Sequence, residues 1–189
     1  MMKLTAMTIF FCALSANAGG GGASVYTSPG GYFAITVPPG WTPAPAGGAP
    51  AAAKKIYGVD LLGAAPGKAP APSITVKYYA KGNTLFKSVD EYVSLNSRPL
   101  GEPEAGEQYS DVTDARVAGK KAYKFERKYT DYNKPRTVPP ETTVMFERHL
   151  VVPAGDGFYL LMYSAPFSSA KTLLPRFEAV VKSFRPKYK

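Results

Sequence analysis

Two arginines, Arg127 and Arg148, interrupt otherwise apolar rows on two strand-like segments, and paired guanidiniums in such a setting bind anions. By alternation Tyr123, Phe125 and Tyr129 share a face with Arg127, and Val144, Phe146, Leu150 and Val152 share one with Arg148. An antiparallel hairpin with Tyr129 opposite Phe146, Phe125 opposite Leu150 and Tyr123 opposite Val152 sets Arg127 against Arg148. Lys128 then opposes Glu147, and Glu126 opposes His149. Like charges face to face call for an anion between them. Two internal answers are open: the Asp114 carboxylate, diagonal to Arg127 across a tight Gly119 turn, or both side chains snorkelling past a helix end. The functional answer is an anion subsite, with Arg127 and Arg148 as a fork and Tyr129 and Tyr163 as neighbours.

Other chemistry is thinly supplied. His149 is the single histidine, so no His-x-x-x-His metal pair exists, and no G-x-S-x-G elbow or phosphate-cradling loop accompanies it. Glu102, Glu104 and Glu107 read as a solvated acidic loop. No catalytic residue, metal or cofactor is expected. Lys120, Lys121, Lys124, Lys128, Lys134 and Arg136 make the same hairpin and its loop the most basic part of the chain. They form either a docking patch for an acidic partner or a strand edge guarded against aggregation. The lone Trp41 fits a core or lid-packing role better than a ligand platform.

The address is written at the start. Met1-Met2-Lys3, an apolar run from Leu4 to Leu14 and the close Ser15-Ala16-Asn17-Ala18 have the form of a signal peptide, 1–18. The run is too short to span a bilayer, and Cys12 lies within it behind Ile9-Phe10-Phe11, which is no lipoprotein signal. Cleavage after Ala18 leaves 171 of the 189 residues and no cysteine, so stability has to come from the core alone. The formal charge of +9 falls to +8 with the loss of Lys3. That balance favours acidic partners, including peripheral contact with anionic lipid, while export argues against nucleic acid.

The elements that position these residues are mostly strands. Residues 19–24 read as a flexible lead-in, followed by one domain over 25–189. Strands are expected at Val25 to Thr27, Tyr32 to Val37, Ile56 to Leu62, Ile74 to Tyr79, Val112 to Val117, Lys121 to Tyr129, Thr143 to Val152 and Phe158 to Tyr163. The segments 42–53 and 63–72 are rich in Ala, Pro and Gly and read as surface loops. Ser88-Val89-Asp90-Glu91 fits a capping box that starts a helix. A terminal helix covers Ser169 to Lys182, with Pro175 expected to kink or divide it. Phe158 to Tyr163 is apolar on both faces, as a central strand is. The fold class is α+β: a central antiparallel sheet with helices packed over it.

Two stretches go further. Gly31 to Val37 runs into Pro38-Pro39-Gly40-Trp41, and the chain closes on Phe177-Glu178-Ala179-Val180-Val181-Lys182-Ser183-Phe184. Together they resemble the PsbP-like superfamily, which includes bacterial DcrB-type secreted proteins, photosystem extrinsic proteins and Ran-binding Mog proteins. The resemblance implies an α/β/α sandwich around an antiparallel sheet and implies no catalytic set. The functional expectation is a monomeric, non-enzymatic accessory protein, periplasmic or secreted. Its basic face would engage an acidic protein or an envelope component. The alternative is a small anionic-ligand protein or hydrolase with its pocket between sheet and helix at Arg127 and Arg148.

Overall fold

Alternating apolar residues build the larger part of the regular structure into antiparallel strands. The computed structural model describes residues 22–45, 51–104, 106–134 and 141–187. The expected signal segment and Arg136 lie outside them, and of Lys134 only the backbone is described. In chain order the elements are β1 (Ser24–Thr27), β2 (Phe33–Val37), β3 (Thr42–Pro45), α1 (Ala51–Lys54), β4 (Ile56–Leu62) and β5 (Ser73–Tyr79). Next come α2 (Val89–Asn96), β6 (Gln108–Tyr109), β7 (Thr113–Val117), β8 (Lys120–Lys134) and β9 (Glu141–Ala154). The last are β10 (Gly157–Pro166), α3 (Phe167–Ser183) and β11 (Arg185–Pro186).

The main sheet has eight strands in the order β3-β4-β5-β10-β9-β8-β6, with β7 also pairing along β8. A small sheet, β1-β2-β11, accompanies it. β10 lies between β5 and β9 and is buried along nearly its whole length, which its two apolar faces required. On one face Tyr159, Leu161 and Tyr163 of β10 share a core with Phe33 and Ile35 of β2 and with Phe177 and Val180 of α3. Trp41 is buried in that same core. On the other face Phe158 and Leu160 pack with Phe125, Val151 and Tyr92 of α2.

Local rules fix the joints. The Ser88 hydroxyl accepts the Glu91 N–H at 3.1 Å, and the Glu91 carboxylate accepts the Lys87 N–H, starting α2. Between β7 and β8, Ala118 (φ 48°) and Gly119 (φ 77°) both take positive φ, as a two-residue hairpin turn of the primed class demands. Three expectations are corrected. Segment 42–53 is not all loop: Thr42–Pro45 forms β3 against β4, and α1 begins at Ala51. Pro43 and Pro45 are tolerated because β3 is an edge strand. β1 begins at Ser24, inside the segment read as a flexible lead-in. Pro175 neither ends nor divides α3, and both it and Lys171, whose carbonyl its ring deprives of a partner, are exposed to water.

Strand β4 requires a glycine at one position. A Cβ on Gly58 of β4 would lie 2.1 Å from the Val76 carbonyl oxygen and 2.8 Å from the Lys77 Cα, both backbone atoms. Gly58→Ala is expected to lower stability by about 1–3 kcal/mol as the strands shift. A reduced urea midpoint with an unchanged slope would register it. An unchanged midpoint would count against the close approach.

Candidate functional site

The β8–β9 hairpin carries the chemistry, and its register is one residue away from the expected pairing. Tyr123 faces Val151, Phe125 faces His149, Glu126 faces Arg148, Arg127 faces Glu147 and Tyr129 faces Met145. A one-residue slip turns one strand's side chains to the other face. Arg127 and Arg148 therefore do not confront each other. Each faces the other strand's glutamate, and they project to opposite faces of the sheet. Asp114 is not the counter-charge either, since it lies opposite Tyr123 and pairs with Lys121 at 3.2 Å. The proposed fork of two guanidiniums does not form.

On the α2 face a buried polar network replaces it. Arg127 donates through Nε to Glu147 Oε2 at 2.6 Å, and its guanidinium lies 4.9 Å from the Tyr129 ring centroid. Tyr129 donates its hydroxyl to Glu147 Oε1 at 3.2 Å. His149 Nε2 lies 3.1 Å from Glu147 Oε2, and its Nδ1 lies 2.9 Å from the Tyr92 hydroxyl. A carboxylate only accepts, so Nε2 carries the proton and Nδ1 accepts from Tyr92. The His149 ring stacks on Phe125 at 4.4 Å.

Electrostatics fixes the protonation states. Burial pushes the Glu147 pKa up, but the His149 hydrogen bond and the Arg127 charge outweigh it and hold the carboxyl at about 2. Burial lowers the His149 pKa, against the pull of Glu147, so the imidazole is neutral at pH 7. Burial, reinforced by Glu147, raises Tyr129 to about 12. Tyr92 lies well above its usual 10, chiefly because it is buried.

Tyr92, His149 and Glu147 stand in the order hydroxyl, imidazole, carboxylate, as in a hydrolytic triad. They are 3%, 1% and 4% exposed, however, so no substrate reaches the hydroxyl. The chain of hydrogen bonds ties α2 to the centre of the sheet and presents no nucleophile to solvent. Sequence reasoning missed Tyr92 and Glu147 as members, and placed His149 on the wrong face.

On the α3 face Arg148 donates through Nε to Glu126 Oε1 at 2.8 Å and lies 3.6 Å from Glu178 of α3. Tyr163 is fully buried and donates its hydroxyl to the Ala170 carbonyl at 2.9 Å, with its ring stacked on Phe177. Burial raises its pKa to about 12. Beside Arg148 a groove of about 220 Å³ opens between α3 and the hairpin. Leu150, Phe177 and Val181 form its floor, and Lys124, Arg148, Lys182 and Glu178 its rim. Glu126, shared by Arg148 and Lys124 (3.8 Å), leaves the rim one charge positive.

The remaining basic residues divide. Lys128 sits with its Nζ 4.2 Å from the Phe167 ring centroid, on the α3 side, and donates to Gln108 at 3.1 Å. Lys120 shares the strand parity of Lys124 and Lys128, whereas Lys121 takes the opposite parity beside Asp114. The hairpin lysines thus do not make a single patch.

No protein-family model and no curated protein matches the chain by sequence. Solved structures do match it. A Bacteroides thetaiotaomicron protein superposes with TM-score 0.53 at 11% identity, over 86% of this chain and 48% of that one. This chain therefore spans about half the length of that protein. The solution structure of cyanobacterial PsbP (CyanoP) from Synechocystis sp. matches at TM-score 0.50 and 12% identity, over 93% of this chain and 99% of that one. LpqN of Mycobacterium tuberculosis, involved in cell envelope biogenesis, gives TM-score 0.47 and 13% identity, over 89% and 86% of the two chains. At these identities the likeness is one of architecture, and by that architecture the chain has the PsbP-like fold.

Proposed function

We propose that this is an exported, non-enzymatic accessory protein that holds an acidic segment of a partner protein in the groove between α3 and the β8–β9 hairpin. Helices α2 and α3, one against each face of the sheet, are read as the outer layers of an α/β/α sandwich, and the groove runs along α3. The reading is carried by one observation: Lys124, Arg148 and Lys182, which outnumber the neighbouring carboxylates of Glu178 and Glu126 by one charge, ring an apolar floor of Leu150, Phe177 and Val181. A carboxylate would meet the rim while a neighbouring apolar side chain covers the floor. At about 220 Å³ the groove falls below the ~300–1,000 Å³ usual for small-ligand pockets, which favours side chains of a larger partner over a free small ligand. Sealing of the Tyr92–His149–Glu147 chain supports a binding role over hydrolysis. Export rests on residues 1–18, and the monomer and the periplasmic or secreted address belong to the same proposal.

The test uses a labelled acidic peptide of alternating glutamate and leucine, titrated at low and high salt. Lys124→Glu combined with Lys182→Glu should weaken binding about tenfold or more, equivalent to about 1.4 kcal/mol. High salt should weaken the parent in the same sense. Lys182 lies in the last turn of α3, where a cation also favours the helix dipole, so a melting curve checks that the double variant is folded. Affinity indifferent to both salt and charge reversal would overturn the reading.

A further inference from the structure

We propose that the far end of the β8–β9 hairpin, with the first turn of α3, docks on an anionic lipid bilayer. This surface is separate from the groove. β10 stops pairing with β9 at Met145, and β6 pairs with β8 only at Arg127 and Lys128. Beyond those points, from Thr130 opposite Val144 to Tyr132 opposite Thr142, the hairpin pairs with no further strand among the described residues. A ribbon of this kind gains nothing from exposed apolar side chains unless something covers them.

It exposes apolar side chains beside the polar Thr142 and Glu141. Tyr132 and Val144 are 49% and 47% exposed, and Phe167, at the start of α3, is 49% exposed. Alternation puts Tyr132 and Val144 on the face of Lys128, whose Nζ lies 4.2 Å from the Phe167 ring centroid. Lys171, one turn beyond Phe167, lies on the same side of α3 and is exposed. Asp131 alternates to the opposite face.

Tyr and Phe rings with lysines whose stems lie along apolar surface match the water–lipid boundary, where a ring sits at headgroup depth and the ammonium reaches a lipid phosphate. A stable protein–protein interface takes roughly 20–30 residues from each side, far more than three large apolar groups supply. A bilayer needs only a few such anchors when cations add to them, and the chain from Gly19 onward carries a formal charge of +8, the +9 of the full chain less Lys3. No helix among the described residues is long and apolar enough to cross a membrane, so the contact is peripheral.

The experiment is vesicle flotation of the chain from Gly19 onward, which removes the apolar run 4–14 from the comparison. Vesicles of phosphatidylglycerol with phosphatidylcholine should carry the protein at low salt, and vesicles of phosphatidylcholine alone should carry much less. Tyr132→Ser combined with Phe167→Ser should lower the partition at least about tenfold while leaving the melting temperature unchanged, because both side chains are half exposed. Lys128→Glu should reduce only the phosphatidylglycerol-dependent part. Failure to float with either vesicle would overturn the proposal, as would undiminished flotation of the double serine variant. A concentration-dependent dimer in sedimentation, abolished by the same two serines, would assign the surface to a second copy of the chain instead.

Discussion

Replacing Glu147 by alanine is expected to destabilise the protein by on the order of 3–5 kcal/mol, a large part of the 5–15 kcal/mol by which folded domains persist. Three donors converge on this carboxylate: Arg127 Nε at 2.6 Å, the Tyr129 hydroxyl at 3.2 Å and His149 Nε2 at 3.1 Å. Its removal leaves a guanidinium without its counter-charge and an imidazole N–H buried without an acceptor, and the second of these cannot turn to water. Glu147→Gln keeps one acceptor oxygen and should cost less. Glu126→Ala is the matched control, since the same type of pair with Arg148 lies on the other face. There the carboxylate is the more hydrated one, 29% exposed against 6% for Glu147, Arg148 keeps Glu178 at 3.6 Å, and the expected loss is about 1 kcal/mol or below. Urea unfolding of the three variants checks the order. Equal losses from Glu147→Ala and Glu126→Ala would show that burial does not set the cost.

Acid should unfold the protein in two stages. The Glu147 carboxyl is depressed in the folded state from an ordinary 4.5 to about 2. Its contribution is complete above pH 4.5 and is lost as the pH falls toward 2, a total of about 3 kcal/mol. His149 acts in the same sense through the opposite charge. Its folded pKa is lowered by burial, so the unfolded chain takes up a proton first once the pH drops below an ordinary 6.5. Stability should therefore be flat from neutrality to about pH 9, below the range in which the buried tyrosines titrate, begin to fall through the histidine range as the pH drops, and fall again below pH 4.5. Melting temperatures across this range test it, and Glu147→Gln should remove the lower limb. A parent profile flat from pH 7 to 3 would contradict both assignments.

Much of the architecture is legible in the sequence because local signals agree with it. β4 occupies Ile56–Leu62 as its alternation indicates, Ser88 caps α2, and the two-faced apolar run of β10 marks a central strand. β3 is hidden because prolines read as loop, although an edge strand admits them. The hairpin register is hidden for a different reason. Both faces of β8 and β9 are partly buried, so the apolar rows do not say which face of one strand meets which face of the other. A better signal was present. Phe125-Glu126-Arg127 and Phe146-Glu147-Arg148 are the same tripeptide, and run antiparallel they let each arginine face the other strand's glutamate. Pairing opposite charges, instead of apolar rows, would have found Glu147. Tyr92 is another matter: its bond to His149 joins residues 57 apart in the chain, and only the packing of α2 on the sheet brings them together.

The groove takes one of the two arginines of the expected fork and not the other. Arg148 and Lys124 reach it because alternation sends both toward α3. Arg127 and Tyr129 leave it because the same alternation sends them the other way. The central claim is that this seam receives an acidic, apolar-bearing segment. Amide chemical-shift mapping with the glutamate–leucine peptide tests that most directly. Saturable shifts confined to Lys124, Leu150, Phe177, Val181 and Lys182 are the predicted result. Shifts centred instead on Asp114 to Lys121, or none at any peptide concentration, would contradict it.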